Sequence, residues 1–484
     1  MSLRINHNIA ALNTQRQLLT NDKALSKSLE KLSSGMKINR AADGPASLII
    51  SEQMRAQIAS LNQAVDNSET AISMVQTSEA AINEVTNLLV SMKQLAIHAA
   101  NEGVNDINML EADQLEMENA KATIDRITAQ ASFGKRTLLD GSQAANGVGI
   151  GVGLEFLDAS PETRSSPVEG YEVRVHQLGT RADVKGKVAL TQAMVDAGEE
   201  ITVSEGGKTV SFTTEAGATV EATVGKLKNE IRANGLDLTV DRFDDGTFGM
   251  RHNQFGSEFT FSVSTSTAGV LSEQSRVMMS AAPGKDIQGT IGGQVTTGNG
   301  QILSGTEGTA VQGLRVRYIG SEVTAPDAGP DAPGAGRVAV FQNSPIFQVG
   351  PNAGQTVSVS LSNTNTRVLG KGVINDSGFT SLNELDVRTA QGAQDSLRLI
   401  EKAIDDITTN RAQLGAFQKN TLESNLRQLR INVEELTNAE SVIRDADMAS
   451  EIAEFTRNSI MVQASTAMLA QANQIPKTVL SLLG

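Results

Sequence analysis

The stretch Leu29–Leu48, LEKLSSGMKINRAADGPASL, joins two long helical patterns. Gly35 interrupts the first pattern, and Pro45 predicts the start of the second, since proline lacks an amide proton and suits the first turn of a helix. The stretch therefore predicts a helix, a break and a second helix. The apolar residues leading into it recur at helical spacing: Leu18, Leu25, Leu29, Leu32 and Met36.

The N-terminal region predicts three helices in succession. Towards the start of the chain, the first stripe includes Ile5, Ile9, Leu12 and Leu19. The second helix keeps spacings of three, four and seven from Pro45 to about Ala100, and a third runs from Ile107 to the sequence FGKRTLLDG. Each apolar stripe is expected to be buried against another apolar surface.

The C-terminal region mirrors this arrangement. One stripe runs from Leu397 to Leu436 with a phase slip, and another runs from Met448 to Pro476. Because long apolar stripes do not stay exposed to water, we expect the N- and C-terminal helices to pack on each other.

The middle of the chain predicts strands. It holds 36 of the 43 glycines, since four lie in residues 1–140 and three in residues 381–484. Short alternating runs such as YEVRVHQL and KTVSFTTE predict strands, and DDGTFG predicts a hairpin turn. VEATVGKLKNEIRANG predicts one short helix, and we interpret GVGIGVGLEF and APDAGPDAPGAG as linkers.

Composition excludes several classes of function. The formal net charge is −14, from 41 basic and 55 acidic residues, so a general nucleic-acid-binding surface is not expected. The absence of cysteine excludes disulfides, thiolate metal sites and cysteine nucleophiles. Neither a secretory signal nor a membrane-spanning run is expected.

The sequence offers no constellation for catalysis. None of the histidines His7, His98, His176 and His252 has another at a metal-ligating spacing, and GVGIGVGLEF lacks the third glycine of a dinucleotide loop. We therefore expect no catalytic residue, no cofactor and no metal.

Both ends of the chain carry several long motifs. LEKLSSGMKINRAADGPASL and AISMVQTSEAAINEVTNLLVSMKQLAIHAANE lie in the first part, and RAQLGAFQKN, ESVIRDADMASEIAEFT and LAQANQIPKTVLSLLG lie in the last. The first two resemble the N-terminal conserved region of bacterial flagellin, and the other three resemble its C-terminal one. The resemblance covers about residues 1–140 and 345–484, in order.

The resemblance implies a multidomain α+β protein. Its long N- and C-terminal helices pair in a coiled-coil-like manner and carry a β-hairpin, and a β-rich α+β insertion lies on the surface. We expect a filament-core domain from residues 1–45 with 446–484 and a shaft domain with the β-hairpin from 46–165 with 341–445. Residues 166–340 form the outer insertion, with room for two subdomains.

The resemblance also implies a structural subunit that polymerises into the extracellular flagellar filament used for swimming. Its implied partners are further copies of itself, an export chaperone, the filament cap and the hook–filament junction protein, and export proceeds unfolded through the flagellar type III apparatus. We expect the apolar stripe residues to mediate self-assembly: Ile5, Ile9, Leu12, Leu25, Leu29, Leu32, Phe455, Val462, Leu469, Ile475, Val479, Leu482 and Leu483.

Two alternatives share these features. A hook–filament junction protein has the same paired terminal helices, and some flagellins carry an adhesive or enzymatic insertion. An innate-receptor contact is also implied, since Leu95 and Glu116 match its pattern. Ser91, however, stands where receptor-stimulating members carry arginine, and serine cannot supply the charge-assisted bonding of a guanidinium.

Overall fold

The computed structural model describes residues 8–101, 103–324, 334–373 and 375–480. The chain divides into two compact units. One comprises Met1–Ser73, Phe347–Val357 and Gln418–Gly484, and the other comprises Met74–Ile346 and Ser358–Phe417. Helical terminal regions flank a β-rich middle, which confirms the expected fold class at that level.

The end of the first helix and the start of the second lie at residues that the sequence indicates, whereas the last helix continues past Pro476 to Leu480. Gly35 adopts a left-handed φ of 72° and caps the first helix, because a residue without Cβ adopts this conformation at no steric cost. The second helix begins at Pro45, which confirms the predicted start. The helices are α1 Ile9–Ser34, α2 Pro45–Ala99, α3 Ile107–Gln130, α4 Gln192–Asp196, α5 Val220–Ala233, α6 Ala390–Ala416, α7 Ser424–Arg444 and α8 Met448–Leu480.

The predicted phase slip in the C-terminal stripe has a structural cause. A π-helical segment, Phe417–Glu423, joins α6 to α7 without a break. Its wider turns absorb additional residues, so Leu414 and Leu422 are both buried although they lie eight positions apart. The slip is therefore a π-bulge within one continuous helix.

Four short strands form two small hairpins, and the others form three sheets. The strands predicted from YEVRVHQL and KTVSFTTE are confirmed. The first ten are β1 Ser132–Phe133, β2 Arg136–Thr137, β3 Ala145–Ile150, β4 Leu154–Asp158, β5 Tyr171–Gln177, β6 Arg181–Lys185, β7 Glu200–Glu205, β8 Lys208–Thr213, β9 Leu238–Arg242 and β10 Phe248–Phe255. The others are β11 Ser262–Thr265, β12 Met279–Ser280, β13 Gln288–Ile291, β14 Gln294–Asn299, β15 Ile302–Gly305, β16 Arg315–Tyr318, β17 Gly336–Gln342, β18 Ile346–Gln348 and β19 Thr356–Ser358.

The insertion contains two separate hydrophobic cores. The eight-stranded sheet has the order β3-β17-β5-β13-β14-β15-β16-β4, and Val173, Ile291 and Val316 lie in its core. The sheets β6-β10-β9 and β12-β11-β7-β8 share a second core with α5, around Leu227 and Phe248. The ladders of the three sheets are antiparallel.

The interpretation of GVGIGVGLEF as a flexible linker is wrong. The segment forms most of β3 and β4, which lie in the eight-stranded sheet. A Cβ on Gly147 would meet the ring of Phe156, and one on Gly149 would meet the carbonyl oxygen of Leu154. These glycines therefore allow a close approach of two strands. Of the second predicted linker, residues 325–333 lie outside the described residues.

The helices of the second unit bury apolar faces in the pattern expected from their stripes. Leu89 and Met92 of α2, Ile124 of α3 and Ile400 of α6 are fully buried. Lys93 of α2 forms an ion pair with Glu401 of α6 at 2.9 Å. The predicted domain boundaries remain predictions, and β3 and β4, which precede residue 166, share a sheet with strands that follow it.

Candidate assembly interface

Helices α1 and α8 pack side by side in opposite directions. Asn21 donates a hydrogen bond from Nδ2 to Ser465 Oγ at 2.8 Å. Seven residues later, Ser28 Oγ accepts one from Asn458 Nδ2 at 3.3 Å. As the number rises along α1 it falls along α8, so the pair is antiparallel.

Each of the two contacting faces alternates apolar with polar residues. On α1, Leu25 lies between Asn21 and Ser28 at spacings of four and three, which places the three side chains on one face. On α8, Val462 lies between Asn458 and Ser465 in the same way. The contacting faces therefore place the half-buried Leu25 and Val462 beside one buried hydrogen bond, Asn21–Ser465, and one part-buried one, Asn458–Ser28.

An ion pair lies at the Gly35 end of this contact. Lys31 Nζ is 3.1 Å from Glu451 Oε2, and the two side chains are only 21% and 10% exposed. Among the described residues, the other Glu451 oxygen has no hydrogen-bond partner. Burial of both charges makes loss of either partner costly, because the remaining charge would be left uncompensated.

The segment that follows α1 is hydrogen-bonded to the short segment that joins α7 to α8. The amide of Lys37 donates to the carbonyl of Arg444 at 2.7 Å, and the amide of Ala446 donates to the carbonyl of Gly35 at 2.9 Å. Met36 and Asp445 form an isolated antiparallel bridge. The two connections are thus paired through their backbones.

Charged side chains surround these paired segments. A hydrogen bond from Lys27 lowers the pKa of the Asp43 carboxyl, with which it forms an ion pair at 2.8 Å. A hydrogen bond from Arg444 at 2.6 Å lowers the pKa of the Glu52 carboxyl. Both carboxylates are therefore charged at neutral pH. The Lys27–Asp43 pair joins the segment before α2 to α1, and the Arg444–Glu52 pair joins the end of α7 to α2.

The structure divides the predicted assembly residues into two groups. Ile9, Leu12 and Leu29 are exposed, at 60%, 59% and 57%, and Leu19 is equally so at 57%. The half-buried members are Leu25, Leu32, Phe455, Val462 and Leu469. Outside the described residues lie Ile5, Leu482 and Leu483 together with the side chains of Ile475 and Val479.

Three of the exposed residues of α1 form an apolar face away from α8, whereas the exposed Leu29 lies beside Leu25 on the contacting side. At 100° per residue, Ile9, Leu12 and Leu19 fall within about 80° of one another and opposite the contacting face. On α8, Ile452, Ile460 and Met468 are also more than half exposed. We call these six residues the exposed apolar residues of the helix pair.

Sequence reasoning missed the polar members of the contact. Asn21, Ser28, Asn458 and Ser465 are not apolar, so a search for hydrophobic stripes passes over them. Their positions could have indicated them. Each lies three or four residues from apolar members of its own stripe, as Asn21 does from Leu18 and Leu25.

The residues of the implied receptor contact lie on α2 and α3. Leu95 is half-buried and Glu116 is exposed. Ser91 is exposed and donates its hydroxyl to the carbonyl of Asn87 at 3.2 Å. Nearby, His98 Nδ1 lies 2.7 Å from Asp113 Oδ2 and ties the end of α2 to α3.

Within residues 8–101, 103–324, 334–373 and 375–480, no three His, Cys, Asp or Glu side chains are grouped so as to hold a metal ion. In the same residues, no helix combines the length and apolarity that crossing a bilayer requires.

Two family models match this chain, one at each end. The bacterial flagellin N-terminal helical region matches residues 5–144, and the C-terminal helical region matches residues 397–483. The chain is 32% identical to B-type flagellin of Pseudomonas aeruginosa, over all of both chains. It is 31% identical to a flagellin of Clostridium tyrobutyricum, over 97% of this chain and 99% of that one.

A solved structure of FliC from Burkholderia pseudomallei is also similar. The identity is 17%, and the match covers 72% of this chain and 98% of that one. The TM-score is 0.25, which is too low to support an argument about the arrangement of the chain.

Proposed function

The chain belongs to the bacterial flagellin family, and from this premise we propose that it polymerises through α1 and α8 into the flagellar filament. The exposed apolar residues of the helix pair carry the proposal. In a monomer, the exposure of these six large apolar side chains to water is unfavourable in free energy. Contact with neighbouring copies would bury them.

The internal contact of the helix pair supports this arrangement. We propose that α1 and α8 form an antiparallel coiled-coil-like rod, in which Asn21–Ser465 and Asn458–Ser28 set the register. A polar residue at a packing position disfavours other registers because its partner must lie opposite. A rod of defined register presents its outer face in one geometry, as a helical polymer requires.

The C-terminal residues 475–484 complete the proposed interface. Ile475, Val479, Leu482 and Leu483 are apolar, and each contributes about 1.5–3 kcal/mol when fully buried. The backbone of α8 is helical to Leu480 in the single chain, so the gain we propose comes from burying these side chains against several copies at once.

Removing residues 475–484 tests the proposed function. We expect a folded monomer with an unchanged melting temperature that no longer polymerises, because the deleted segment acts between copies. Electron microscopy of the purified full-length chain should show tubes, and the truncated chain should show none. A strongly destabilised truncated monomer would place the segment in its own core instead.

Export and partners follow from the same proposal. We propose that the chain leaves the cell unfolded through the flagellar apparatus, that a chaperone covers the C-terminal segment, and that the filament cap and junction protein contact the polymer at its ends. The absence of cysteine supports this route, since no disulfide then opposes unfolding. The hook–filament junction alternative is not favoured, because the curated relatives described above are flagellins.

The innate-receptor contact stays a proposal that rests on Leu95 and Glu116. Receptor signalling by purified filaments, compared with filaments of a Glu116→Ala variant, tests it. Since Ser91 lacks a guanidinium, we expect weak signalling from both.

A further inference from the structure

A groove of about 740 Å³ lies in the first unit, outside the helix pair. Its walls come from α2, from α7 and from the turn between β18 and β19. Leu61 and Leu429, which are 3% and 4% exposed, form its floor together with the half-buried Leu436. The groove is therefore a preformed depression with an apolar base.

Side-chain amides dominate the walls of the groove. They are Gln57, Asn352, Gln355, Asn425, Gln428 and Asn432. Each side-chain amide carries both a hydrogen-bond donor and an acceptor. It can therefore bond to both the C=O and the N–H groups of a peptide backbone. A chain segment with free N–H and C=O groups matches this lining.

Some of these amides hold the walls in place. Asn425 donates to the carbonyl of Val349 at 2.7 Å and so ties α7 to the hairpin turn. Gln355 accepts from the amide of Asn352 at 3.0 Å within the turn itself. Gln57, on the opposite wall, is exposed, and its amide has no hydrogen bond within the part of the chain that the structure describes.

The charge of the groove indicates which partner it fits. The whole chain carries a formal net charge of −14, so two copies repel each other wherever their acidic surfaces meet. Of the lining residues, Glu435 alone is charged. A nearly neutral, amide-lined depression is thus a place where a second copy can approach at little electrostatic cost.

We propose that this groove receives a polar, uncharged chain segment of a second copy of this protein in the assembled filament. The inference rests on the proposed function, since it requires a polymer, but it assigns an interface separate from α1 and α8. Desolvated leucines at the base and amides at the rim reproduce the apolar core and polar rim of protein interfaces.

Single-cysteine labelling tests the proposal, because the natural chain has no cysteine to interfere. Asn432→Cys and Gln428→Cys each place a thiol in the groove. Ser211→Cys is the control, on an exposed position of β8 in the insertion. Each variant is labelled with a maleimide, once as monomer and once as filament.

We expect both groove cysteines to react at least about tenfold more slowly in the filament, because a packed interface excludes water and reagent. The control should react at similar rates in both states. Groove variants that fold as monomers but fail to polymerise, while the control polymerises, would also support the proposal.

Two results would overturn it. Filaments whose groove cysteines react at the monomer rate would show that the groove stays open, and the proposed function would stand without this interface. Slow labelling already in the purified monomer, relieved by unfolding and refolding, would indicate a bound small molecule instead. If even the natural chain forms no filament, the proposed function fails and this inference fails with it.

Discussion

At the scale of single residues, we propose that the polar pairs between α1 and α8 fix the register in which the terminal helices meet. Asn21 and Ser465 are 9% and 7% exposed and bond to each other at 2.8 Å. An apolar layer tolerates small shifts along the helix axis, but a buried amide that loses its partner is penalised. The register of the pair thus depends on a few polar side chains.

We predict that Asn21→Ala destabilises the helix pair by about 1–2 kcal/mol, because Ser465 loses its buried partner. Amide hydrogen exchange along α1 measures this local stability directly. Thr20→Ala is the matched control, since the exposed Thr20 hydroxyl donates to the carbonyl of Arg16 in its own helix. Equal exchange in the two variants would contradict the assigned role.

At the scale of elements, the stripes of the long helices should stabilise the units to which they belong. Leu89 of α2 is fully buried, and the adjacent Val90 is 44% exposed. We predict that Leu89→Ala lowers the free energy of unfolding by about 2–5 kcal/mol, because it removes buried methyl groups and leaves a cavity.

Urea unfolding of the monomer measures this loss. Val90→Ala should lower the free energy of unfolding much less, since the Val90 side chain is already partly in water. In the first unit, Leu429→Ala and Ile431→Ala form the same kind of pair, at 4% and 52% exposure. If Leu89→Ala and Leu429→Ala leave the free energy of unfolding unchanged but abolish polymerisation, these stripes contact neighbouring subunits instead.

The glycines of β3 allow a second prediction about elements. We expect Gly149→Ala to destabilise the insertion by about 1–3 kcal/mol, because the new methyl group meets the carbonyl oxygen of Leu154. Gly225→Ala on α5 is the control, since nothing lies within 4 Å of its Cβ position. That change should stabilise by about 0.5–1 kcal/mol, and thermal unfolding of the two variants should shift in opposite directions.

At the scale of the whole molecule, the eight-stranded sheet indicates where the insertion can be removed. Ala145 of β3 pairs with Gln342 of β17, and paired Cα atoms of an antiparallel ladder lie about 4.5–5.5 Å apart. We predict that a short Gly-Ser linker in place of residues 145–342 leaves a folded, filament-forming protein, as seen by electron microscopy.

Replacement of residues 166–340 alone is the informative comparison. It removes β16, the partner of β4, and most of β17, the partner of β3, and the exposed strand edges favour aggregation. Filaments from this variant, or none from the 145–342 replacement, would contradict the assignment of β3 and β4 to the insertion.

The amino-acid sequence by itself determined the features that depend on neighbours along the chain. Gly35 and Pro45 placed the end of α1 and the start of α2, because capping and the missing proline amide act within one helical turn. The eight-residue step from Leu414 to Leu422 marked the phase slip, since periodicity is also a local property. The resemblance of both ends to flagellin came from equally local motifs.

Only the tertiary structure decided which distant residues meet. Asn21 pairs with Ser465, more than four hundred residues away, and polarity at a single position does not reveal such a partner. GVGIGVGLEF had the composition of a linker, yet contacts with Phe156 and with β17 make it a strand, because close strand packing selects residues without side chains. The amide groove likewise required α2, α7 and a hairpin turn to converge, since its chemistry exists only where they meet.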